Sequence, residues 1–438
     1  DITNIVCTTF NKMMVLLVTL ADKHQACPYC GFTAPKIKEY VTKEITHSAL
    51  TTQKCIIKYR ARRYKCPCCG KTYYEFNPFV FKSQKISILT VHNILKDLKD
   101  FNETFTSVAR RYHVSPTSVS TIFDNHVDIG RNPLPEIINF DEVYAFKSEK
   151  SKYVCVLLDF KKQIPVDVLP NRKKEYLLNY FQKIPLEERK KVKYACSDMY
   201  EVYRDVVHKV FPEAKHLLDY FHLSQDFHKK MNEVRIKVMK GYKDNKASDE
   251  YYLLKKFNWL LFKNPEDEDK YGRLFDVERE RKYNSHFKSY MNYYDLRKKI
   301  LEINNDLTIC YSLKLELVDF YSKSTIDNAQ VNLEHLIRSF IDTNIEEMIK
   351  FSNNLINWKQ EIINSFTIVG TEYKVEADKG QVVVCNKKVN NAIIENRNKI
   401  IKCIKNNANG YTNWSRFRNR VMYVLDPNAT FSLEPREK

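Results

Sequence analysis

Two cysteine knuckles constrain this chain more than any other feature of its sequence. Cys27-Pro-Tyr-Cys30-Gly31 and Cys66-Pro-Cys68-Cys69-Gly70 each place two thiols with two residues between them. That gap lets both sulfurs reach one ion, and the glycine that follows permits the tight turn. The sulfurs of Cys27, Cys30, Cys66 and Cys69 therefore predict a closed tetrahedral zinc site. Such a site is structural, because no position is left for water. Cys68 and Cys55 are spare, since the Cys66/Cys69 pair has both the spacing and the glycine. Buried free thiols are the alternative. With 12 cysteines in 438 residues and only these metal-spaced pairs, the pattern suits a reducing interior better than a secreted disulfide scaffold.

Other classes are excluded by what the chain lacks. It has 8 glycines and no G-x-x-x-x-G-K-[ST], so phosphate-cradling nucleotide motors and dinucleotide folds are poor fits, and no nucleotide cofactor is expected. No apolar run reaches the ~18 residues of a membrane span. Lys and Arg number 72 against 54 Asp and Glu, a formal charge of +18. On a chain with this much apolar material, that surplus favours a folded protein with a polyanionic partner, most simply nucleic acid, with a basic protein whose charge serves solubility as the alternative. The segment Lys58 to Lys65 sets Arg60, Arg62 and Arg63 among tyrosines on an expected ribbon strand. Those side chains suit phosphate contact, with a solvated charged face as the alternative.

Beyond the ribbon, residues 84–127 read as helices. Phe105 to Tyr112 is one short helix, His113-Val-Ser115 a turn, and Pro116 to Phe123 a second helix that Ser115 can cap. This is helix-turn-helix grammar, which turns Ser118, Ser120 and Thr121 toward a groove; an ordinary helical pair is the alternative. Residues 128–135 read as a linker. Strand-like runs follow at 137–140, 153–160, 166–169 and 192–196, with a helical stretch at 175–184. Residues 224–365 are helical in pattern. A hairpin is expected over 371–386, turning at Asp378-Lys-Gly380, and a helix over 389–406.

Three acids stand out on this framework. Asp141 and Asp198 each follow an apolar strand, where a carboxylate is held rigidly at an approachable edge. Glu395 lies on the last of these helices. At about 100° per residue, Ile393, Ile400, Ile401 and Ile404 share one side, and Glu395, Asn398, Lys399 and Lys402 share the other. Carboxylates are the natural ligands of Mg2+, and a pair of such ions clamps the two oxygens of a phosphoryl displacement. Taken singly, each acid is as well explained as a turn or cap residue.

The order of parts resembles a known family. Phe140-Asp-Glu, Ser197-Asp-Met-Tyr200, Asp219-Tyr-Phe-His222, Ile394-Glu-Asn-Arg-Asn-Lys-Ile-Ile-Lys402 and Asn409-Gly-Tyr-Thr-Asn-Trp-Ser-Arg-Phe-Arg-Asn-Arg420 follow the ribbon and the helices. Together they resemble the DDE transposases of bacterial insertion sequences, specifically the ISL-three family, from about residue 14 to 425. The resemblance implies a multidomain α+β chain. Its parts are a zinc ribbon (1–80), a helix-turn-helix (84–127), and a ribonuclease H-like α/β core (136–223 and 386–425) interrupted by a mainly helical, nominally all-α insertion (224–385). It implies Asp141, Asp198 and Glu395 as a catalytic triad binding two Mg2+ ions, or Mn2+ in their place. Asp219, His222 and Asn398 are in support, and Lys399 and Lys402 hold DNA. Asn396 stands where the family's helix often has Gly, which leaves Glu395 and Asn398 in register. The implied partners are double-stranded DNA, as terminal inverted repeats and as target, and a second copy of the chain when two ends are bound. The implied location is the bacterial cytoplasm, at the nucleoid. Two other readings use the same residues: a DNA-binding regulator with an inert core, and a nuclease without strand transfer.

Overall fold

A computed structural model describes residues 2–22, 26–48, 53–81, 84–146, 151–375 and 382–436. The first unit is a five-stranded sheet of β1 (Ile2–Phe10), β2 (Met13–Leu20), β3 (Lys36–His47), β4 (Cys55–Lys65) and β5 (Thr72–Tyr74). Its order is β1-β2-β4-β3, with β5 pairing against β4. Period-two alternation along β4 sends Ile57, Tyr59 and Ala61 to one face, where they meet Val18, Ile45 and Val80.

Three helices follow: α1 (Ile88–Asp97), α2 (Phe105–Arg111) and α3 (Pro116–His126). Their starts are fixed locally. Thr104 and Ser107 form a reciprocal capping box on α2. Ser115 accepts from the Ser118 amide at 3.0 Å to cap α3, and Pro116 takes its first position. His113 carries the turn between them at φ 53°. Val91, Ile94, Leu95, Val108, Val119 and Phe123 make the common core. Residues 128–135 form no regular element, as the Gly and two Pro predict.

The central sheet contains β6 (Ile137–Val143), β7 (Val154–Asp159), β8 (Pro165–Leu169), β9 (Tyr194–Ser197) and β10 (Lys215–Leu218), in the order β10-β9-β6-β7-β8. β6, β7 and β8 form an antiparallel meander, and β9 and β10 continue parallel to β6. The helices α4 (Lys174–Gln182), α5 (Leu186–Arg189) and α6 (Glu201–Val210) lie between β8 and β10 in sequence. α4 and α6 cover one face through Leu177, Phe181, Tyr203 and Val206.

α7 (Tyr220–Lys240) leads away from β10 into an insertion with its own core. It contains α8 (Asp249–Lys256), the paired strands β11 (Glu268–Asp269) and β12 (Gly272–Arg273), and the paired strands β13 (Lys282–Asn284) and β14 (Ser289–Met291). Then come α9 (Tyr293–Glu302), α10 (Asn305–Lys323), α11 (Ala329–Asp342), α12 (Glu346–Asn357) and α13 (Lys359–Asn364). The expectation of an all-α insertion is corrected here. The two small ribbons of two or three residues per strand are too short to leave a periodic signal. β15 (Ile368–Val375) and β16 (Val382–Lys388) form the expected hairpin, whose turn at Asp378-Lys-Gly380 lies outside the described residues.

α14 (Ala392–Asn407) and α15 (Trp414–Leu425) return to the second face of the central sheet, packing Ile394, Ile401, Ile404, Phe417 and Val421 on Val154, Val156 and Val168. α15 also joins the sheet to the three-helix unit. Arg416 pairs with Asp124 at 2.6 Å, and the Tyr423 hydroxyl donates to the Leu95 carbonyl at 2.9 Å. Arg420, 1% exposed, donates to the carbonyls of Asp100 and Glu103 at 2.8 and 2.7 Å. Removing that guanidinium takes a donor from both carbonyls, of which Asp100 keeps the Glu103 amide at 3.2 Å, and leaves a cavity where a fully buried side chain stood. Arg420→Met is therefore expected to lower unfolding stability by about 2–4 kcal/mol in a urea titration. A change within about 0.5 kcal/mol contradicts the role given to this contact. Among the described residues, no helix is long and apolar enough to cross a membrane.

Candidate metal centres and active site

The two knuckles fold alike. Cys27 and Cys30 occupy the connection from β2 to β3, and Cys66 and Cys69 the turn from β4 to β5. In each, the glycine amide donates back to the first cysteine's carbonyl: Gly31 to Cys27 at 2.8 Å and Gly70 to Cys66 at 2.9 Å. Both glycines sit in the left-handed region, at φ 74° and 70°, where a β-carbon is strained. The sulfurs converge, with Cys27 to Cys69 at 3.7 Å and Cys30 to Cys66 at 3.5 Å. All four lie within 4.8 Å of one another. Tetrahedral zinc with bonds near 2.3 Å requires sulfurs about 3.8 Å apart, so the thiol set fits that ion. Cys68 is exposed and takes no part in the cluster.

The carboxylates are set by strand register. Asn139 pairs with Cys196 across β6 and β9, and Ser197 with Leu218 across β9 and β10. Continued along the strands, that register brings Asp141, Asp198 and Asp219 level on three adjacent parallel strands, spaced by about 4.8 Å. The Asp219 amide bonds the Ser197 carbonyl at 3.1 Å and so extends the ladder to this row. All three acids stand at the same edge of the sheet.

α14 crosses this edge and is pinned there by amides. Asn139, fully buried in β6, donates to Asn391 Oδ1 at 2.7 Å and to the Asn390 carbonyl at 2.8 Å. The Asn391 amide reaches Asp219 Oδ1 at 3.3 Å. Two helical turns on, Asn398 donates to Asp141 Oδ2 at 2.7 Å. Asn398 is 5% exposed, which corrects its placement on the outer face of the helix. The buried arc runs through Ile394, Asn398, Ile401 and Ile404, with Glu395 half-buried at its edge and Lys399 and Lys402 exposed beyond it. Glu395 meets His222 and Asp219, and the ligand atoms of these three lie within 4.8 Å of one another. His222 Nδ1 is 3.0 Å from Asp219 Oδ2, so Asp219 serves its histidine although it stands at the start of α7.

The electrostatics follow from crowding acids at a buried edge. Burial pushes the Asp141 carboxyl up to about 7, with the charge of Asp198 adding to it, while the Glu142 amide and His222 oppose. Burial and then Glu142 push Asp198 up to about 6, against His222 and Arg172. Burial disfavours the His222 cation, but Asp219, Asp198 and Asp141 outweigh it and raise its pKa. Asp198 Oδ1 is buried and has no hydrogen-bond donor. An unpaired carboxylate oxygen among other carboxylates fits a hard divalent cation. It is a poor arrangement for a purely structural polar cluster.

A stability prediction arises from these shifts. For Asp141, a folded pKa near 7 against about 3.9 unfolded means a contribution fully present below about pH 3.9 and lost as pH rises through 7. In the protein free of Mg2+ and Mn2+ at pH 8, Asp141→Asn is therefore expected to melt on the order of a few °C above wild type. The gap should narrow at pH 5 and close only below about pH 3.9. Melting at both pH values without Mg2+ or Mn2+, the ribbon zinc being kept, checks it, and an Asn variant that melts below wild type at pH 8 contradicts it.

The remaining DNA-facing candidates divide. Arg60 is exposed, with its guanidinium 4.8 Å over the Tyr40 ring. Arg63 is partly exposed, paired with Glu39 at 2.7 Å. Arg62 is corrected: it pairs with Glu75 at 2.9 Å and donates to the carbonyls of Ala21 and Leu20, so its charge holds the ribbon together. On α3, Thr121 is exposed, Ser120 bonds the Thr117 carbonyl at 3.0 Å, and Ser118 meets the Ser115 hydroxyl at 2.8 Å. Sequence reasoning missed Asn139 and Asn391. The signal was present in Asn139, an amide inside the apolar run Ile137-Ile-Asn-Phe140.

Comparison with known proteins agrees with this geometry. The ISL3-type DDE family model, described as a transposase, matches residues 138–377. The chain is 19% identical over 409 residues to the transposase for insertion sequence element IS1001 of Bordetella parapertussis, covering 93% of this chain and 90% of that protein. The family match spans more than half the chain and includes the row of aspartates, and this protein belongs to the ISL3 family of transposases, DNA transposases of insertion sequences.

Proposed function

We propose that Asp141, Asp198 and Glu395 form the catalytic triad of this transposase, with Asp219 and His222 adjoining them and Asn398 orienting Asp141. The observation that carries the reading is the level row of aspartates on β6 and directly after β9 and β10, crossed by the helix that bears Glu395. The sheet order, an antiparallel meander continued by parallel strands, supports a ribonuclease H-like core built from residues 136–223 and 386–425. The carboxylates would hold two Mg2+ ions, for which Mn2+ is a substitute. When bound, such ions activate water and neutralise charge on the phosphoryl oxygens.

This chain's own residues do the rest. Asn398 and the Glu142 amide fix both oxygens of Asp141. His222, held by Asp219, offers a proton at the site edge. Lys399 and Lys402, exposed on α14, hold phosphates beside the scissile one. Water attacks a phosphodiester at the element end, the P–O3′ bond breaks, and the 3′-hydroxyl is freed. That hydroxyl then attacks a target phosphodiester and displaces a second 3′-oxygen. The ribbon (1–80), through zinc-ordered β4 with Arg60 and Arg63, and the helix-turn-helix (84–127), through Ser118, Ser120 and Thr121, bind the terminal inverted repeats. A homodimer holds two ends, and the DNA substrates set the work in the bacterial cytoplasm at the nucleoid.

The test is a pair of assays on DNA that carries the element's own ends. Mg2+-dependent nicking is expected at the repeat boundary, and a pre-cut 3′-hydroxyl end is expected to join to a plasmid target. Nicking without joining points to a nuclease, and binding without nicking points to a regulator.

A further inference from the structure

Beside the carboxylates lies a strip of aromatic rings and cations that the triad does not use. Tyr144 directly follows β6 and Tyr153 directly precedes β7; their rings meet edge to face at 5.7 Å. The Arg172 guanidinium sits 4.6 Å from the Tyr153 centroid and 4.8 Å from that of Tyr200, sandwiched between the two. Lys405 stands 5.4 Å over the Tyr144 ring. The contacts are continuous: Lys405, Tyr144, Tyr153, Arg172, Tyr200. Tyr144 is 50% exposed and Tyr153 39%.

Every part of the strip is tied to the catalytic edge. Tyr144 follows Asp141 on β6, Tyr200 follows Asp198, and Lys405 rides on the helix that carries Glu395. Arg172 is hydrogen-bonded to Glu142, the neighbour of Asp141. Cations alone suffice to grip a duplex backbone. Exposed ring faces add nothing to that, because paired bases are already stacked and show a protein only their edges. Ring faces beside cations gain when a base is free to stack on them.

We propose that this strip binds unpaired nucleotides of the DNA end next to the scissile phosphate. Tyr144 and Tyr153 stack bases, Lys405 neutralises the adjoining phosphate, and Arg172, paired with Glu142, holds the Tyr153 ring in place. The inference rests on the reading of the carboxylates as the cleavage site, and it adds that the end is melted when it is held there.

The test measures binding of two synthetic element-end duplexes without added Mg2+ or Mn2+, the ribbon zinc being kept, by fluorescence anisotropy. One is fully matched, and the other has its three terminal base pairs mismatched. Wild type is expected to prefer the mismatched end by about 5- to 100-fold. The double variant Tyr144→Leu/Tyr153→Leu is expected to bring that ratio near one while leaving matched-duplex affinity and melting temperature unchanged. Tyr144→Phe/Tyr153→Phe keeps the rings and should keep the preference. A wild type without preference, or a leucine variant that retains it, overturns the proposal. Binding is read without Mg2+ or Mn2+, so a failure of wild type to cleave counts against the triad alone and leaves this ratio to be judged by itself.

Discussion

Asp141→Asn and Glu395→Gln are each expected to reduce strand cleavage on the order of a thousandfold or more while leaving end binding intact. Both substitutions keep shape and remove only charge. Asp141 is one acid in a buried group, and burial, with the charge of Asp198 adding to it, already pushes its pKa up to about 7. A divalent cation would favour the ionised form of such a carboxylate, whereas without it the charge only costs stability above about pH 7. The surfaces proposed to bind repeats lie on β4 and α3, elements that contribute none of these acids. A gel shift and a nicking assay on the same DNA separate the two effects. Cleavage within tenfold of wild type in either variant contradicts the assignment.

Zinc removal is expected to have the second large effect. The N-terminal sheet has a small core of Val18, Ile45, Ile57, Tyr59, Ala61 and Val80, little apolar burial for a unit of its length. The four sulfurs join the β2–β3 and β4–β5 connections directly, and structural zinc contributes about 10–16 kcal/mol of apparent binding energy at neutral pH. Cys66→Ser, or a strong chelator, should unfold this unit and reduce repeat binding by about a hundredfold or more, with the central sheet still folded. Limited proteolysis reads the first outcome as cleavage confined to the N-terminal region, and the gel shift reads the second. A variant that keeps its ribbon protease-resistant contradicts the role given to the metal.

The sequence was most legible where chemistry forces spacing. The two-residue gaps and their glycines singled out the four sulfurs and rejected Cys68. The apolar runs ending at Phe140 and Ser197 located two of the three strands that carry the aspartates. Less was legible where tertiary packing decides. β10 has four residues, Lys-His-Leu-Leu, too few to show a period, so the level placement of Asp219 came only with the register. The wheel drawn for α14 put Asn398 outside because an amide counts as polar, whereas here it is buried to reach Asp141. Arg62 belongs to a basic run that looks like a phosphate-binding face, and only the position of Glu75, directly after the neighbouring strand β5, reveals that it is spent internally. Arg416 and Arg420 carried no legible role, because their partners lie some 300 residues away along the chain, in and around the three-helix unit.

The most direct test of the central claim is a crystal soaked in Mn2+ and measured at the manganese edge. Anomalous peaks within coordination distance of Asp141, Asp198 and Glu395 together are the expected result. Manganese confined to Asp219 and His222, with Asp141 and Asp198 unligated, contradicts it.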